Sequence, residues 1–169
     1  MKRVVIGGSG GAGKSVLARA LAEKTGLPLI HLDREFWRPG WVETPKAEWT
    51  GKVRELIARE RWIMDGNYGG TMEMRMDRAD TIVFLDFPRW RCVWGIFRRW
   101  FRYRGRTRED MAEGIVERFP EWSFVKWIWE YTERTRPTVL ERIARFGPGR
   151  RVVTLRSPRA VRDFLGSVV

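Results

Sequence analysis

Short runs of β-forming residues alternate with segments of helical periodicity along the whole chain. The runs are Lys2–Ile6, Leu29–Leu32, Trp62–Asp65, Thr81–Asp86 and Arg151–Leu155. Apolar residues recur at helical spacing in the segments Ser15–Lys24, from Thr44-Pro45 onward, Pro88 to about Tyr103, Pro120 to Phe146, and Pro158–Val168. This alternation predicts an α/β domain in which helices cover a five-stranded parallel sheet.

One stretch between the predicted helices has no periodicity. From about 104 to 120 the chain is rich in charged residues and glycine, which indicates an excursion from the core. No repeat, low-complexity tract or long linker divides the sequence. We therefore expect a single domain over residues 1–169, with a lid insert at about 104–120.

A glycine-rich segment connects the first predicted strand to the first predicted helix. It reads Gly8-Ser9-Gly10-Gly11-Ala12-Gly13-Lys14-Ser15 and fits the pattern G-x-x-x-x-G-K-[ST]. Its glycines let backbone N–H groups turn toward phosphate oxygens, and the helix N-terminus adds a partial positive charge. In such a loop Lys14 reaches the β and γ phosphates of ATP, and the Ser15 hydroxyl ligates Mg²⁺.

A carboxylate ends the fourth predicted strand. Asp86 follows a run of β-branched and aromatic residues, and such a strand end lies beside the phosphate loop in sheets of this architecture. We predict Asp86 as a magnesium ligand, although aspartate at the end of a buried strand is also typical of a turn.

The charge balance indicates anionic partners. The chain has 33 basic and 21 acidic side chains, a formal net charge of +12. Most of the cations are arginines, whose planar guanidinium suits phosphate, so nucleotides, phosphorylated metabolites or nucleic acid are expected. The single cysteine and single histidine exclude an internal disulfide and a Cys/His zinc site. No apolar run reaches the ~20 residues that span a bilayer, so a cytoplasmic protein without membrane contact is predicted.

Segments spread from end to end of the chain carry a family resemblance. They are Asp33-x-x-Phe36-Trp37-x-Pro39-Gly40-Trp41, Asp65-Gly66-Asn67-Tyr68, Pro88-Arg89, Arg106-Thr107-Arg108-x-Asp110-Met111-x-x-Gly114 and Leu155-Arg156-Ser157-Pro158. Through them the sequence resembles the adenylate-kinase-like small P-loop kinases, and most closely the branch described as DNA topology modulation (FlaR-related) proteins. The resemblance implies a P-loop NTPase three-layer sandwich of strand order 2-3-1-4-5, an arginine-rich helical lid, and phosphoryl transfer from ATP with Mg²⁺. It implies no particular acceptor.

The resemblance also implies roles for single residues. Asp65 matches an aspartate that lies near Mg²⁺, and Arg136 resembles an arginine that returns to the phosphates from the helix after the lid. Arg156 is expected to contact the nucleotide.

Two positions depart from the family pattern. Gly95 stands where an arginine is expected on the helix that begins at Pro88, and Ile115 stands where the lid commonly has cysteine. The surrounding segment compensates for the first departure. It has no acidic residue, and it has arginines at positions 89, 91, 98, 99, 102, 104, 106 and 108. From this cluster we predict that Arg98, Arg99 and Arg102 stabilise the transferred phosphoryl group.

Asp33 follows the second predicted strand, where acceptors bind in sheets of this kind. Its segment is similar to the Asp-x-Phe-Tyr segment of uridine-kinase-like enzymes, in which the aspartate takes the proton of an acceptor hydroxyl. If that role carries over, Asp33 is a general base and the acceptor is an alcohol. A phosphate acceptor would need no base, and a third interpretation makes Asp33 a turn or N-cap residue.

Four further residues are candidates for binding the acceptor. Arg34 and Arg75 would pair with a phosphate, Trp37 would stack on a base, sugar or aromatic ring, and Asn67 would contribute its carboxamide.

The function favoured by these patterns is an ATP-dependent small-molecule, nucleoside or nucleotide kinase. An alternative of a different class is an ATP-switched nucleic-acid-binding protein affecting DNA topology, in which the arginine-rich stretch binds phosphates. The kinase is favoured because the arginines fall where a lid belongs and no nucleic-acid-binding motif is present. Both a monomer and a homodimer remain compatible with the sequence.

Overall fold

The computed structural model describes residues 1–168. Its elements, in chain order, are β1 (Arg3–Gly8), α1 (Lys14–Thr25), β2 (Leu29–His31), α2 (Leu32–Phe36), β3 (Trp37–Arg38), β4 (Val42–Glu43), α3 (Lys46–Ala58), β5 (Trp62–Asp65), α4 (Gly69–Arg78), β6 (Thr81–Leu85), α5 (Arg89–Tyr103), α6 (Trp122–Arg134), α7 (Arg136–Phe146), β7 (Arg151–Leu155) and α8 (Pro158–Gly166).

Five strands form one parallel sheet in the order β2-β5-β1-β6-β7. Counted among themselves along the chain, these strands have the order 2-3-1-4-5, so the predicted topology is confirmed. The central strands are buried on both faces, which explains why they are apolar throughout rather than alternating.

Two hydrophobic cores lie on opposite faces of the sheet. One is formed with α1, α5, α6 and α8, and the other with α3, α4 and α7. The molecule is therefore a three-layer α/β sandwich, and the phosphate loop connects the central strand β1 to α1.

The predicted long helix from Pro120 to Phe146 is wrong, because two helices occupy this range. α6 ends at Arg134 and α7 begins at Arg136, with Pro137 in its first turn. Proline has no N–H to donate and its ring clashes with the preceding turn of a helix, so Pro137 starts a new helix instead of continuing α6.

Three elements were not expected from the sequence. They are the short helix α2, the two-stranded hairpin of β3 and β4, and the helix α4. The sequence pattern did not reveal the apolar face of α4, because a charged residue lies on that face. Arg75 is positioned there between Met72 and Met76 and is fully buried.

The predicted lid segment connects α5 to α6 and contains no helix, so the helical part of the expected arginine-rich lid is α5 alone. Isolated bridges join Arg104 to Glu117 and Thr107 to Val116, and they close the segment into a loop. No helix within residues 1–168 is long and apolar enough to cross a membrane.

Candidate active site

A cavity of about 700 Å³ lies at the carboxyl ends of β1, β2 and β5, which is where acceptors and nucleotides bind in doubly wound sheets. Its walls come from the phosphate loop, α5, the segment after β5 and the β3–β4 hairpin, and residues 108–121 form a roof. Of the predicted site residues, the cavity is lined by Gly10, Gly11, Gly13, Lys14, Ser15, Asp33, Trp37, Asp65, Asn67, Arg98, Arg99 and Arg102.

The phosphate loop has the backbone expected for holding an anion. Gly11 and Gly13 have φ angles of 73° and 91°, a conformation that favours glycine. Lys14 Nζ donates to the carbonyl oxygen of Ser9 at 2.9 Å. Desolvation lowers the pKa of Lys14, and the charges of Asp33 and Asp65 oppose this effect. A partly buried ammonium with one backbone acceptor is a site that gains from an anionic ligand.

Helix α5 lies directly against the phosphate loop. A Cβ atom at Gly95 would lie 2.2 Å from the carbonyl oxygen of Gly11, and a Cβ at Gly11 would lie 2.0 Å from that of Cys92. A side chain at either position would require the backbones to move apart, which explains why glycine stands at both. The same contact brings the next turn of α5 to the cavity.

Three arginines in the two turns after Gly95, namely Arg98, Arg99 and Arg102, line the cavity. Arg99 Nε donates to Glu117 Oε1 at 2.8 Å, so this guanidinium is tied to the roof. Arg98 and Arg102 form no ion pair with any residue in the described part of the chain. Two cations beside the phosphate loop are therefore available to an anionic ligand.

The carboxylate of Asp33 faces the same cavity from the start of α2. Tyr68 Oη donates to Asp33 Oδ1 at 2.7 Å, which leaves Oδ2 without this partner. Burial raises the pKa of Asp33, and the charge of Asp65 adds to this effect, while the hydrogen bond from Tyr68 and the charge of Arg108 oppose it. A carboxylate with a raised pKa in a cavity is suited to accept a proton near neutral pH.

Asp65 is the last residue of β5, and its carboxylate contacts a histidine of the neighbouring strand β2. His31 Nδ1 lies 2.6 Å from Asp65 Oδ1. Burial lowers the pKa of His31, but the hydrogen bond and charge of Asp65 outweigh it and raise that pKa above its usual value.

Ser15 and Asp65 offer oxygen ligands to one cavity, and oxygen is the donor that Mg²⁺ prefers. Within residues 1–168 no cluster of three or more Asp, Glu, His or Cys side chains could hold a metal by itself. The donor set fits Mg²⁺ bound to nucleotide phosphates, because that ion is usually held by one or two carboxylates together with the substrate.

Asp86 does not line the cavity, and its partners occupy both of its oxygens. Arg136 donates to Oδ1 and Oδ2 at 2.7 and 2.8 Å, and Arg156 lies 3.4 Å from Oδ2. The hydrogen bonds from Arg136 lower the pKa of Asp86 despite partial burial. The predicted magnesium ligand, catalytic arginine and nucleotide-binding arginine are thus joined to each other, because residues far apart in the chain meet at the ends of β6 and β7.

Arg75 and Arg34 also lie outside the cavity. Arg34 is exposed on α2. Arg75 is fully buried, and its guanidinium donates to the carbonyl oxygens of Gly66, Asn67 and Tyr68 at 3.1, 2.6 and 3.2 Å. Burial lowers the pKa of Arg75 to about 10.

The loop that Arg75 binds carries two cavity residues. Tyr68 has a φ of 31°, an uncommon conformation for a side chain of its size, and three carbonyls of the loop are fixed by one guanidinium. Arg75 therefore holds the segment that presents Asn67 and Tyr68, rather than reaching the acceptor itself.

The remaining residues of the phosphate loop lie outside the cavity and support the loop's backbone. Ser9 and Ala12 are buried within the loop, and Gly8 packs against β6, where a Cβ would lie 2.7 Å from the carbonyl oxygen of Leu85. These residues set the loop's path without lining the cavity.

The roof contains charged residues that sequence reasoning did not assign to the site. Arg108 is 7% exposed and lies 3.1 Å from Asp110 Oδ2 and 2.8 Å from Glu117 Oε2. Burial raises the pKa of Asp110, but the charge of Arg108, a hydrogen bond with Ser15 and the charge of His31 together outweigh it, and the net shift is downward. The alternation of arginine and acidic residues in this segment was the available signal, although it could not show burial.

The hairpin and the roof are in contact over the cavity. Trp41 Nε1 donates to the carbonyl oxygen of Val116 at 3.2 Å, and the guanidinium of Arg118 lies 5.7 Å from the Trp41 ring centre. The hairpin and the roof therefore meet over part of the cavity, which reduces the access of bulk water to its interior.

Comparison with known proteins supports the fold. No protein-family model and no curated protein matches the chain, but solved structures do. A gluconokinase from Sinorhizobium meliloti 1021 is 19% identical with a TM-score of 0.60, over 99% of this chain and 91% of that one. A shikimate kinase from Acinetobacter baumannii in complex with shikimate is 16% identical with a TM-score of 0.60, over 99% and 90% of the two chains. A shikimate kinase from Bacteroides thetaiotaomicron is 18% identical with a TM-score of 0.52, over 98% and 94%.

These likenesses extend over nearly the whole of each chain at low identity, so they establish the fold. The chain has the α/β fold of small P-loop kinases, with a five-stranded parallel sheet and the phosphate loop after its central strand.

Proposed function

We propose that this protein is a Mg-ATP-dependent kinase that transfers a phosphoryl group to a hydroxyl acceptor. One observation carries the proposal: Asp33 and Lys14 line the same cavity, and the charge of each affects the pKa of the other. A hydroxyl kinase needs a cation at the transferred phosphate and a base at the acceptor oxygen, and this arrangement supplies both.

Each cavity residue has a part in this reaction. The loop N–H groups and Lys14 bind the β and γ phosphates, while Arg98, Arg99 and Arg102 stabilise the negative charge of the transferred group. Ser15 and Asp65 would hold Mg²⁺, which neutralises charge on the phosphate oxygens when bound.

Asp33 acts on the acceptor. Its free carboxylate oxygen takes the hydroxyl proton as the acceptor oxygen bonds to the γ phosphorus, and the bond from that phosphorus to the β–γ bridging oxygen breaks to release ADP. Tyr68 orients Asp33 through its hydrogen bond and keeps its pKa from rising further. The roof and the hairpin exclude water, which would otherwise compete as acceptor.

The segments around Asp33, Asp65 and Arg108 support a place near the adenylate-kinase-like branch with the DNA topology description, and a cytoplasmic location accords with it. Arg136, Arg156 and Asp86 are assigned a structural role near the ends of β6 and β7, since both arginines contact Asp86. No observation favours the nucleic-acid switch, so it is not proposed.

The test is turnover of Mg-ATP followed by ³¹P NMR, with pools of sugars, polyols, nucleosides and nucleoside monophosphates as acceptors. Lys14→Ala and Asp33→Asn are the test variants, and the exposed residues Lys24 and Asp163 provide matched controls as Lys24→Ala and Asp163→Asn. A new phosphoester that both test variants lose and both controls keep supports the proposal. Transfer to a monophosphate that survives Asp33→Asn contradicts it, and so does a failure of every pool while ATP still binds.

A further inference from the structure

The acceptor end of the cavity has its own chemistry, distinct from the phosphate end. Here the cavity is lined by Asp33, Asn67 and Tyr68 and by the indoles of Trp37 and Trp41. Resting on the proposed function, we infer that this subsite takes a neutral polyhydroxylated compound that offers at least two hydroxyl groups and a flat apolar face.

Asn67 is the first observation. Its side-chain carboxamide forms no hydrogen bond with any residue of the described chain, and its Oδ1 is a buried oxygen without a partner. A buried amide oxygen left unpaired costs free energy, so a residue held at this place gains from a ligand donor. Arg75 fixes the backbone on either side of Asn67, so the carboxamide is presented from a rigid loop.

Asp33 supplies the second polar position. Its Oδ1 accepts from Tyr68, so Oδ2 can accept a hydroxyl from the ligand. A carboxylate only accepts hydrogen bonds, whereas a carboxamide both accepts and donates. A pair of hydroxyl groups on one molecule satisfies both partners.

Charge argues against an anionic acceptor. Asp33 and Asp65 are close enough for the charge of Asp65 to oppose ionisation of Asp33. The neighbouring guanidinium of Arg108 is already shared between Asp110 and Glu117. A carboxylate or phosphate on the acceptor would meet two like charges, and the predicted Arg34 and Arg75 lie outside the cavity. Arg118 lines the cavity without an ion pair among the described residues, but it is exposed to solvent and its guanidinium lies over the Trp41 ring.

The indoles supply the apolar surface. Trp37 and Trp41 lie with ring centres 5.4 Å apart in an edge-to-face arrangement on the β3–β4 hairpin, and both are half-buried. An aromatic face in contact with the C–H face of a sugar or cyclitol, or with a base, buries apolar surface while hydroxyl groups point to Asp33 and Asn67.

Binding to matched pairs of probes tests this inference. Calorimetric titrations with a non-hydrolysable ATP analogue and Mg²⁺ present compare glucose with glucuronate, adenosine with AMP, and the methyl ester of shikimate with shikimate. We expect a neutral member to bind more than tenfold tighter than its anionic partner. Asn67→Leu and Trp37→Leu should each weaken that binding about tenfold, whereas Trp90→Leu, on the exposed side of α5, should not change it.

Three results would overturn the inference: an anionic member that binds as tightly as its neutral partner, an unchanged affinity in both test variants, or no binding of any neutral probe. Because these titrations require no turnover, they are separable from the proposed function. If neutral probes bind as expected but no acceptor pool yields a phosphoester, the kinase is refuted and the subsite remains.

Discussion

Replacement of Gly95 by alanine separates two opposing effects on a single helix position. In a helix interior alanine is favoured over glycine by about 1 kcal/mol, so propensity alone predicts stabilisation. The structure predicts the reverse, because the new Cβ would lie 2.2 Å from the carbonyl oxygen of Gly11. Relief of that overlap requires α5 to move away from the phosphate loop by about 1 Å, and such overpacking costs about 1–3 kcal/mol.

The displacement also affects the site. Arg98, Arg99 and Arg102 lie one to two turns beyond Gly95, so they move with the helix, and a misplacement of about 1 Å can cost on the order of 100-fold in rate. We expect Gly95→Ala to lower the free energy of unfolding by about 1–2 kcal/mol, and to weaken Mg-ATP binding by at least about tenfold.

Gly51 provides the matched control. It lies inside α3, and no heavy atom lies within 4 Å of the position that a Cβ atom would take there, so Gly51→Ala should stabilise the protein and leave ATP binding unchanged. Chemical denaturation and calorimetric titration measure both quantities. If Gly95→Ala stabilises the chain as Gly51→Ala does, with unaltered ATP affinity, the argument that α5 is fixed by its contact with the loop is refuted.

Three other substitutions test the remaining parts of the site. Burial raises the pKa of Asp33, so the acid limb of the pH profile of kcat/KM should lie above the usual aspartate range. Tyr68→Phe removes a hydrogen bond that opposes this rise and should move the limb to higher pH. A limb that does not move argues against Asp33 as the base. Arg136 lowers the pKa of Asp86, so Asp86→Asn should cost about 1–3 kcal/mol of stability at neutral pH, a difference that disappears in acid as pH falls through the folded-state pKa. Its Mg-ATP affinity should be unchanged, and a large loss would restore Asp86 as a magnesium ligand. Arg75→Met should lower stability by about 2–3 kcal/mol and raise the acceptor KM with little effect on that of Mg-ATP, whereas equal changes in both indicate a general loss of structure.

The sheet could be predicted because each of its strands is recognisable from consecutive residues. Each of the five strands is a short apolar run, and the glycine-rich loop after the first one fixes the chain's direction into α1. Right-handed connections between parallel strands then restrict the order. The phosphate end of the cavity follows for the same reason, since Gly10 to Ser15 are consecutive residues.

The acceptor end was predicted less completely, because its contacts join residues far apart in the chain. Asp33 and Trp37 were found from their place after a strand, but the hydrogen bond from Tyr68 spans 35 positions. Arg75 was predicted to bind the acceptor because an arginine in this part of the sequence of a phosphate-handling enzyme suggests a phosphate ligand. Only its burial shows that backbone carbonyls use its donors.

The arginine-rich segment from 89 to 108 shows why charge alone left two functions open. Part of it faces the cavity, namely Arg98, Arg99, Arg102 and Arg108. Other members lie over aromatic rings: Arg89 over Trp129, Arg91 over Phe87 and Arg104 over Phe101, at 5.0 to 5.2 Å from the ring centres. Among the arginines at the cavity, Arg99 and Arg108 already pair with Glu117, whereas Arg98 and Arg102 have no ion pair within the described residues. These two arginines line the same cavity as the phosphate loop, so the triphosphate of a nucleotide bound there would neutralise them.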